Sequence, residues 1–322
     1  MNDKRTIKCI LCDNEKSLFF DHYKFNIKSD QKYFDKIDIF KCDYCNLSFC
    51  NPMPDAKKLN DFYSNIYRAK GRPHEMNFKN IENELYSYRN LNYIQYLSTF
   101  INFNNIKKIF DFGSGIGDLG FLLKKKFKHL DLFSSENDKH CKNILKKREY
   151  KLYDSLNEID EKFDLIISTH SLEHMQDFTI IEKFKSIANP NCYLFLEVPN
   201  CDHKNFIERP YDSPHLMFFS KKSFETLGKK FDLNLINLNF ASYSIEKSFE
   251  YMKNSKEKYE NWSFVNKIEQ KVKLILKIFV PNIFIEFKKY IFEKTFDKLD
   301  YFTLNKKDSW CLRALFNINK KL

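Results

Sequence analysis

Four cysteines stand in two closely spaced pairs near the start of the sequence. The segment CILC contains Cys9 and Cys12, and the segment CDYC contains Cys42 and Cys45. A gap of two residues lets both thiolates of a tight turn face one ion, and four thiolates form the closed tetrahedron of a structural zinc site. The spacing therefore predicts a bound Zn²⁺ that stabilises folding and leaves no open position for catalysis. Chance pairing is the alternative, because the loop between the pairs is longer than the usual template.

A glycine-rich loop occupies the middle of the segment KKIFDFGSGIGDLGFLLKKKF. Gly113, Gly115 and Gly117 alternate along it, and Asp111 precedes them near the end of a predicted strand. Glycines at such positions let the backbone turn sharply and let a ligand approach closely. With Gly120 the same letters form a GxGxxG pattern, which alone is a weak indication of a dinucleotide site. The acid at the strand end favours a cationic, amine-bearing ligand instead.

A second acid, Glu136, closes the next predicted strand in LDLFSSEND. A carboxylate at this position could accept hydrogen bonds from both hydroxyls of a ribose. That role would suit NAD and S-adenosylmethionine equally, so Glu136 does not distinguish the two ligands.

Two histidines, His215 and His174, are candidates for acid–base chemistry, and a third lies close to His174 in the sequence. His170 and His174 flank Glu173 in THSLEHM, and His215 lies in YDSPHLMFFS. Histidine titrates near neutral pH and can accept a proton from a reacting hydroxyl. His215 is the first candidate for such a base and His174 the second.

Short apolar runs alternate with amphipathic ones from residue 106 onward. The runs IKKIFDF, LDLFSSE, FDLIISTH and CYLFLEVPN are typical of strands, and the runs between them are typical of helices. This alternation predicts βαβ units and a parallel sheet whose ligands bind at the carboxyl ends of the strands. A helix is expected over 81–101, and FDLNLINLNF and DSWCLRALFNINKK are expected to close the sheet.

The segments IFDFGSGIG, FDLIISTHSLEHMQD and LFLEVPN, together with Glu136, resemble those of class I S-adenosylmethionine-dependent methyltransferases. The resemblance implies a Rossmann-like sheet and S-adenosylmethionine as cofactor. In that family the glycine loop holds the methionine part, the second-strand acid binds the ribose, and a residue after the third strand, here Asp154 or Ser155, lies near the adenine. The cofactor contacts carried over are Asp111, Gly113, Ser114, Gly115, Gly117, Glu136, Asn137, Asp154, Thr169 and His170.

The whole order of parts resembles, more narrowly, the zinc-ribbon sugar methyltransferases, some of which methylate carbon in nucleotide-linked deoxysugars. The C-methylating members carry an acid beside a histidine in the segment that resembles YDSPHLMFFS. Here His215 keeps the histidine position, but its neighbour is Pro214. This departure favours O-methylation of a sugar, a sugar nucleotide or a surface-glycan precursor, with C-methylation of a keto sugar as the alternative.

The predicted fold is an α/β, Rossmann-like class I methyltransferase sheet with an N-terminal zinc ribbon and a C-terminal helical insertion before the last strand. We expect a ribbon module at 1–55, a linker with helices at 56–105 and the cofactor-binding domain at 106–322. The insertion, at about 246–307, is basic and aromatic. A lid on the core, an oligomer face and contact with a membrane surface are alternatives for it.

The composition limits the partners. The formal net charge of +11 comes mostly from lysines spread along the whole chain. Such a diffuse excess does not favour a nucleic-acid partner, although an RNA methyltransferase with a zinc-ribbon RNA-binding module stays an alternative. No run approaches the roughly 20 apolar residues of a membrane span, and the first residues do not form a signal peptide. We therefore expect a cytoplasmic enzyme with a small-molecule or glycan acceptor.

Overall fold

The computed structural model describes residues 5–23, 30–69, 72, 75, 85, 87–201, 215–241 and 311–318. The predicted insertion at 246–307 lies outside these residues. The described strands are β1 Thr6–Ile7, β2 Ser17–His22, β3 Asp38–Cys42, β4 Ser48–Asn51, β5 Lys108–Phe112, β6 Asp131–Ser135, β7 Tyr150–Leu152, β8 Phe163–Thr169, β9 Ala188–Pro199, β10 Met217–Phe218, β11 Asn234–Ala241 and β12 Cys311–Ile318. The described α-helices are α1 Gln31–Phe34, α2 Ala56–Asp61, α3 Tyr88–Phe100, α4 Asp118–Lys126, α5 Lys139–Lys147, α6 Thr179–Ser186 and α7 Lys221–Lys230.

The larger sheet has seven strands in the order β11-β12-β9-β8-β5-β6-β7. Neighbouring strands from β9 to β7 pair in parallel, whereas β12 is antiparallel to both of its neighbours. The strand order reverses between β5 and β8, because the chain continues from β5 to β6 on one side and later returns to β8 on the other. Ligands of such sheets bind at this reversal, beyond the carboxyl ends of the strands.

Helices cover the faces of the larger sheet. In α3 the side chains of Tyr93, Ile94, Tyr96 and Leu97 are buried, and their spacing places them on one face of the helix. Ser87 caps this helix by accepting a hydrogen bond from the backbone N–H of Asn90. Apolar β-strands and these helix faces together form the core around β5, β8 and β9.

The smaller sheet has five strands in the order β1-β2-β3-β4-β10, and all of its pairs are antiparallel. Four strands come from residues 6–51, and the fifth, β10, comes from a segment between β9 and β11 of the larger sheet. Met217 pairs with Phe49 and Phe218 with Ser48. The smaller sheet is therefore completed by the chain of the larger domain and extends beyond the predicted ribbon module at 1–55.

The α/β class with a mostly parallel central sheet is confirmed. The predicted strands and helices between residues 106 and 241 all form, and the strand predicted after the insertion is β12. The helix expected over 81–101 is described as α3, which begins at Tyr88. No helix among the described residues is both long and apolar enough to cross a membrane.

Candidate active site

The glycine loop connects β5 to α4 with a left-handed backbone at all three glycines. The φ angles are 63° at Gly113, 57° at Gly115 and 72° at Gly117, a region that residues with a Cβ rarely adopt. A Cβ on Gly113 would lie 2.3 Å from the Ser171 hydroxyl, and one on Gly117 would lie 2.5 Å from Leu145. Both positions therefore require glycine twice over, for conformation and for space.

Glu136 follows β6 and closes over the same loop. Its Oε2 accepts a hydrogen bond from the backbone N–H of Gly115 at 2.7 Å. Its Oε1 accepts from the N–H groups of Asn137 at 2.8 Å and Asp138 at 2.9 Å. The carboxylate is thus held at the carboxyl end of the sheet, where the sequence analysis expects a ribose-binding acid.

Asp111 lies in β5, behind the loop, with only 3% of its surface exposed. Burial raises its pKa to about 8, and the charges of Glu136 and Asp118 add to the effect. A cationic group brought close to Asp111 would restore the ionised carboxylate, because an opposite charge offsets desolvation. The arrangement therefore suits an ammonium-bearing ligand.

A cavity opens at the ends of β5, β6 and β8. Its lining residues are Tyr63, Tyr67, Arg68, Phe112, Gly113, Ser135, Glu136, Asn137, Asp138, His170, Ser171, His174 and Met175. Four of the predicted cofactor contacts, Gly113, Glu136, Asn137 and His170, lie in this lining. Ser114, Gly115 and Gly117 belong to the loop beside it, and Thr169 ends β8.

Asp154 is placed differently from the other predicted contacts. Its side chain is 80% exposed and forms an ion pair with Lys142 Nζ at 2.6 Å. The carboxylate therefore turns outward on the surface between α5 and β7, and it does not line the cavity. Its assignment as an adenine contact stays a prediction.

A buried carboxylate and three imidazoles lie together beside the cavity, and two of the imidazoles, those of His170 and His174, line it. Glu173 is 1% exposed, and neither of its oxygens accepts a hydrogen bond from the part of the chain that the structure describes. Its Oε1 lies 3.4 Å from His170 Nδ1, 3.9 Å from His174 Nε2 and 3.9 Å from His215 Nε2. The rings of His174 and His215 are 4.8 Å apart. The structure thus brings both predicted catalytic histidines beside one acid.

Two tyrosines complete this region. The Tyr63 and Tyr67 rings lie 5.9 and 6.4 Å from that of His174. The Tyr63 hydroxyl is buried without a hydrogen-bond partner among the described residues. Burial raises its pKa well above the usual range, and the nearby Tyr67 and Glu173 add to the shift. Tyr63 therefore stays protonated and can donate a hydrogen bond to a ligand.

His170 connects the cavity to a buried ionic network. Its backbone has φ 53°, an uncommon conformation for a residue with a side chain, and its Nε2 lies 3.2 Å from Glu197. Glu197 also binds Arg313 at 2.6 Å. Burial and Arg89 act to lower the His170 pKa, but its interactions with Cys311, Glu173 and Glu197 outweigh them and raise it well above the usual value.

The smaller sheet holds His215 in place. The Tyr23 hydroxyl donates a hydrogen bond to the His215 carbonyl at 3.0 Å. The next residue, Leu216, donates its N–H to the Glu173 carbonyl at 2.8 Å and accepts one from Cys50 at 2.9 Å. The segment that carries His215 is therefore tied on one side to the smaller sheet and on the other to the Glu173 turn.

The four paired cysteines converge at one end of the smaller sheet. Cys9 and Cys45 sulfurs are 3.6 Å apart, Cys12 and Cys42 sulfurs are 3.5 Å apart, and all four lie within 4.8 Å of one another. These spacings fit a tetrahedron with Zn–S bonds of about 2.3 Å. A hydrogen bond from Cys45 lowers the pKa of Cys9 to about 5, whereas burial raises that of Cys12 to about 11. A bound cation would favour the thiolate form of Cys12 against this effect of burial.

Glu173, Tyr63, Tyr67 and Arg68 received no role in the sequence analysis. The only signal for Glu173 is its position between two histidines in THSLEHM. The tyrosines and Arg68 belong to a segment more than forty residues before the glycine loop, and nothing in its local pattern indicates that it folds over the cavity.

Residues 83–238 match a family model described as a methyltransferase domain. The matched segment contains the glycine loop, Glu136, the three histidines and Glu173. The protein is therefore an S-adenosylmethionine-dependent methyltransferase. No curated protein matches the sequence.

Solved structures that are similar to this one include three methyltransferase complexes. Coclaurine N-methyltransferase with N-methylheliamine and S-adenosylhomocysteine is 14% identical, with 81% of each chain covered and a TM-score of 0.43. The plantazolicin methyltransferase BpumL with S-adenosylhomocysteine is 11% identical over 81% of this chain and 94% of that chain, with a TM-score of 0.47. An O-methyltransferase from a trans-AT polyketide synthase of Brevibacillus brevis is 13% identical over 76% and 80%, with a TM-score of 0.42.

Proposed function

We propose that the protein transfers a methyl group from S-adenosylmethionine to a hydroxyl of a sugar, a sugar nucleotide or a surface-glycan precursor. The observation that carries the proposal is the pair of histidines, His174 and His215, grouped around buried Glu173 beside a cavity that begins at the glycine loop. The aromatic faces of Tyr63 and Tyr67 would suit the apolar face of a sugar ring, with the Tyr63 hydroxyl as a donor to one of its oxygens.

The cofactor would lie across the ends of β5 and β6. When bound, it supplies a methyl group on a sulfonium, which is electrophilic without further activation. The glycine loop would accommodate the methionine part, and Asp111 would face its ammonium. Glu136 would accept hydrogen bonds from the ribose hydroxyls in place of the one that it now accepts from the N–H of Gly115. His170 and Met175 would then lie along the path from the cofactor to the acceptor.

His215 would act as the general base. Its Nε2 lies 3.9 Å from Glu173 Oε1. A small shift of the segment that carries His215 would therefore bring the two groups into a hydrogen bond. The carboxylate would stabilise the imidazolium that forms when His215 takes the acceptor proton, as in other base–acid pairs. A positioned base of this kind typically contributes about 10²–10⁴-fold in rate, and alignment of the acceptor with the methyl group supplies the rest.

C-methylation of a keto sugar is the second candidate, and one observation favours it. The acid that is absent at position 214 is replaced in space by Glu173, which reaches His215 from a different segment. An acid–histidine pair could remove a proton from a carbon next to a ketone. The two reactions differ in the atom to which the new methyl group is bonded. NMR of the product distinguishes them, because an O-methyl group and a C-methyl group have different chemical shifts.

The four cysteines Cys9, Cys12, Cys42 and Cys45 would hold a structural Zn²⁺, as their sulfur spacing supports. All four positions of the tetrahedron are then protein ligands. The ion would stabilise the smaller sheet and take no part in methyl transfer.

The testing experiment is a calorimetric titration of the purified protein with S-adenosylmethionine, S-adenosylhomocysteine and NAD in parallel. Micromolar binding of the two adenosyl compounds without NAD is expected. Binding of NAD alone would overturn the placement of the cofactor. Sugars, nucleotide sugars and short RNA are then offered with labelled S-adenosylmethionine, and label transfer to RNA alone would overturn the sugar acceptor.

A further inference from the structure

One wall of the cavity is formed by the turn that follows α2, and Arg68 lies in this wall. A single π-helical turn, Phe62–Ile66, extends α2 toward the larger sheet. The Tyr67 N–H bonds to the Phe62 carbonyl at 2.9 Å, and the Ala69 N–H bonds to the Ile66 carbonyl at 3.1 Å. These two bonds on either side of Arg68 fix its backbone, so its side chain starts from an ordered position.

The guanidinium lies against the open side of the glycine loop. A Cβ built on Gly115 would be 3.6 Å from Arg68 Nη2, whereas no such room exists at Gly113 or Gly117. The Arg68 guanidinium carbon lies 5.5 Å from the centre of the Tyr67 ring, so the ring packs against the guanidinium. A ligand that enters above Gly115 therefore meets a guanidinium on one side and backbone on the other.

The cavity lining carries charges of both signs. Among its described lining residues, Arg68 is the one with a permanent positive charge, and Glu136 and Asp138 are the acids. His170 also lines the cavity, but its imidazole faces the carboxylates of Glu173 and Glu197. Arg68 is thus the group in this lining that would attract a ligand oxyanion, whereas Glu136 and Asp138 would repel it.

We propose that Arg68 forms an oxyanion subsite that binds the carboxylate of the methionine part of the cofactor. The inference rests on the proposed function, because it takes the glycine loop as the cofactor site. The amino-acid end of S-adenosylmethionine carries an ammonium and a carboxylate on the same carbon. With the ammonium directed at Asp111, the carboxylate is left near Gly115, where a planar guanidinium can bind both of its oxygens.

The test compares two ligands that differ by the carboxylate alone. S-Adenosylhomocysteine carries it, and S-adenosyl-3-thiopropylamine lacks it but keeps the ammonium, the thioether and the adenosine. Calorimetry measures both with the natural protein and with Arg68→Gln, Arg68→Lys and the control Arg5→Gln. Arg5 is a surface arginine that pairs with Asp38 on the smaller sheet.

For Arg68→Gln we expect S-adenosylhomocysteine to bind about 10- to 100-fold more weakly, as for loss of a charged bidentate pair. The affinity for S-adenosyl-3-thiopropylamine should change less than about twofold, because no carboxylate is present to lose its partner. Arg68→Lys should retain only part of the affinity for S-adenosylhomocysteine. Lysine keeps the positive charge but lacks the two parallel N–H donors of a guanidinium. Arg5→Gln should leave both affinities unchanged.

Three results would overturn the subsite. Equal weakening of both ligands would mean that Arg68 only packs the turn over the cavity. No change in either ligand would mean that the carboxylate binds elsewhere, and a rise in acceptor KM without a change in cofactor affinity would assign Arg68 to an anionic acceptor. If neither ligand bound the natural protein, the proposed function itself would fail, which is a different outcome from any of these.

Discussion

The two sheets contribute to the active site in different ways. In the proposed site, the larger sheet provides the cofactor half from one continuous stretch, 111–138, in which a strand, a loop, a helix and a second strand follow each other directly. The proposed acceptor half is assembled from Tyr63, Glu173 and His215, which are far apart in the sequence. The smaller sheet fixes the last of these through β10 and Tyr23.

This difference means that cofactor binding and acceptor chemistry depend on separate parts of the structure. A change in the glycine loop should remove the first and leave the smaller sheet intact. A change in the histidine cluster or in the smaller sheet should reduce turnover while the cofactor still binds. Four predictions, in order of decreasing effect, can confirm or contradict this separation.

Gly115→Arg should abolish cofactor binding. The residue has φ 57°, and a long cationic side chain there would point at Arg68 and fill the space above the loop. Affinity for S-adenosylhomocysteine should fall by a factor of about 1,000 or more, since the binding surface itself is blocked. Zinc content, measured by elemental analysis, should stay at its original value. Retained binding would show that the cofactor lies elsewhere.

His215→Ala should reduce kcat by about 10²–10⁴-fold, as expected for loss of a general base. The affinity for S-adenosylmethionine should stay within about threefold, because His215 does not line the glycine loop. His22→Ala is the matched control, since His22 lies on the smaller sheet and pairs with Asp38 at the surface. An unchanged kcat for His215→Ala would remove this residue from the mechanism.

Cofactor binding should depend on pH through Asp111. The pKa of about 8 means that the free protein carries this carboxyl in its neutral form below pH 8. If the ammonium of the cofactor requires the ionised form, the apparent affinity should rise about tenfold per unit between pH 6 and 7 and flatten towards pH 8. Calorimetry in two buffers of different ionisation enthalpy should detect release of a proton on binding.

Asp111→Asn is the control for this pH dependence. It should bind more weakly at pH 8 and show no proton release, because the titrating group is gone. Affinity that is flat with pH in the natural protein would show that Asp111 does not exchange its proton for the ammonium. The cofactor half would then rely on the loop backbone and Glu136 alone.

Cys42→Ser should lower the zinc content and reduce kcat by about tenfold, because a loosened smaller sheet no longer fixes β10 and His215. The affinity for S-adenosylhomocysteine should change little. The matched control is Cys192→Ser, a buried cysteine of the larger sheet outside the cluster. If zinc loss left kcat unchanged, the smaller sheet would not support the acceptor half as we infer.

The sequence predicts the geometry of the glycine loop well because its determinants are local. A strand, an acid and alternating glycines before a helix can be identified in one window, and the positive φ angles at Gly113, Gly115 and Gly117 follow from that pattern. The mostly parallel sheet also follows from the alternation of apolar and amphipathic runs. The exception is Asp154, whose outward ion pair with Lys142 depends on a neighbouring helix.

The acceptor half could not be derived in the same way. The missing acid next to His215 is visible in the sequence, but the approach of Glu173 to His215 depends on how the turn after β8 packs against the segment that carries His215. The contacts of Tyr63 and Arg68 with the cavity depend likewise on where a distant helix docks. Pairings over such separations are set by the whole fold, and no periodicity in a single window encodes them.

The membership of β10 in the smaller sheet has a consequence for the order of events during synthesis. The edge of β4 has no partner until residues 217 and 218 have left the ribosome, although β1 to β4 were made long before. An unpaired strand edge is a template for association with other chains. At a translation rate of about 5–20 residues per second, that edge is exposed for many seconds. Early uptake of zinc by the two cysteine pairs would keep this nascent hairpin in its native register while the rest of the polypeptide emerges.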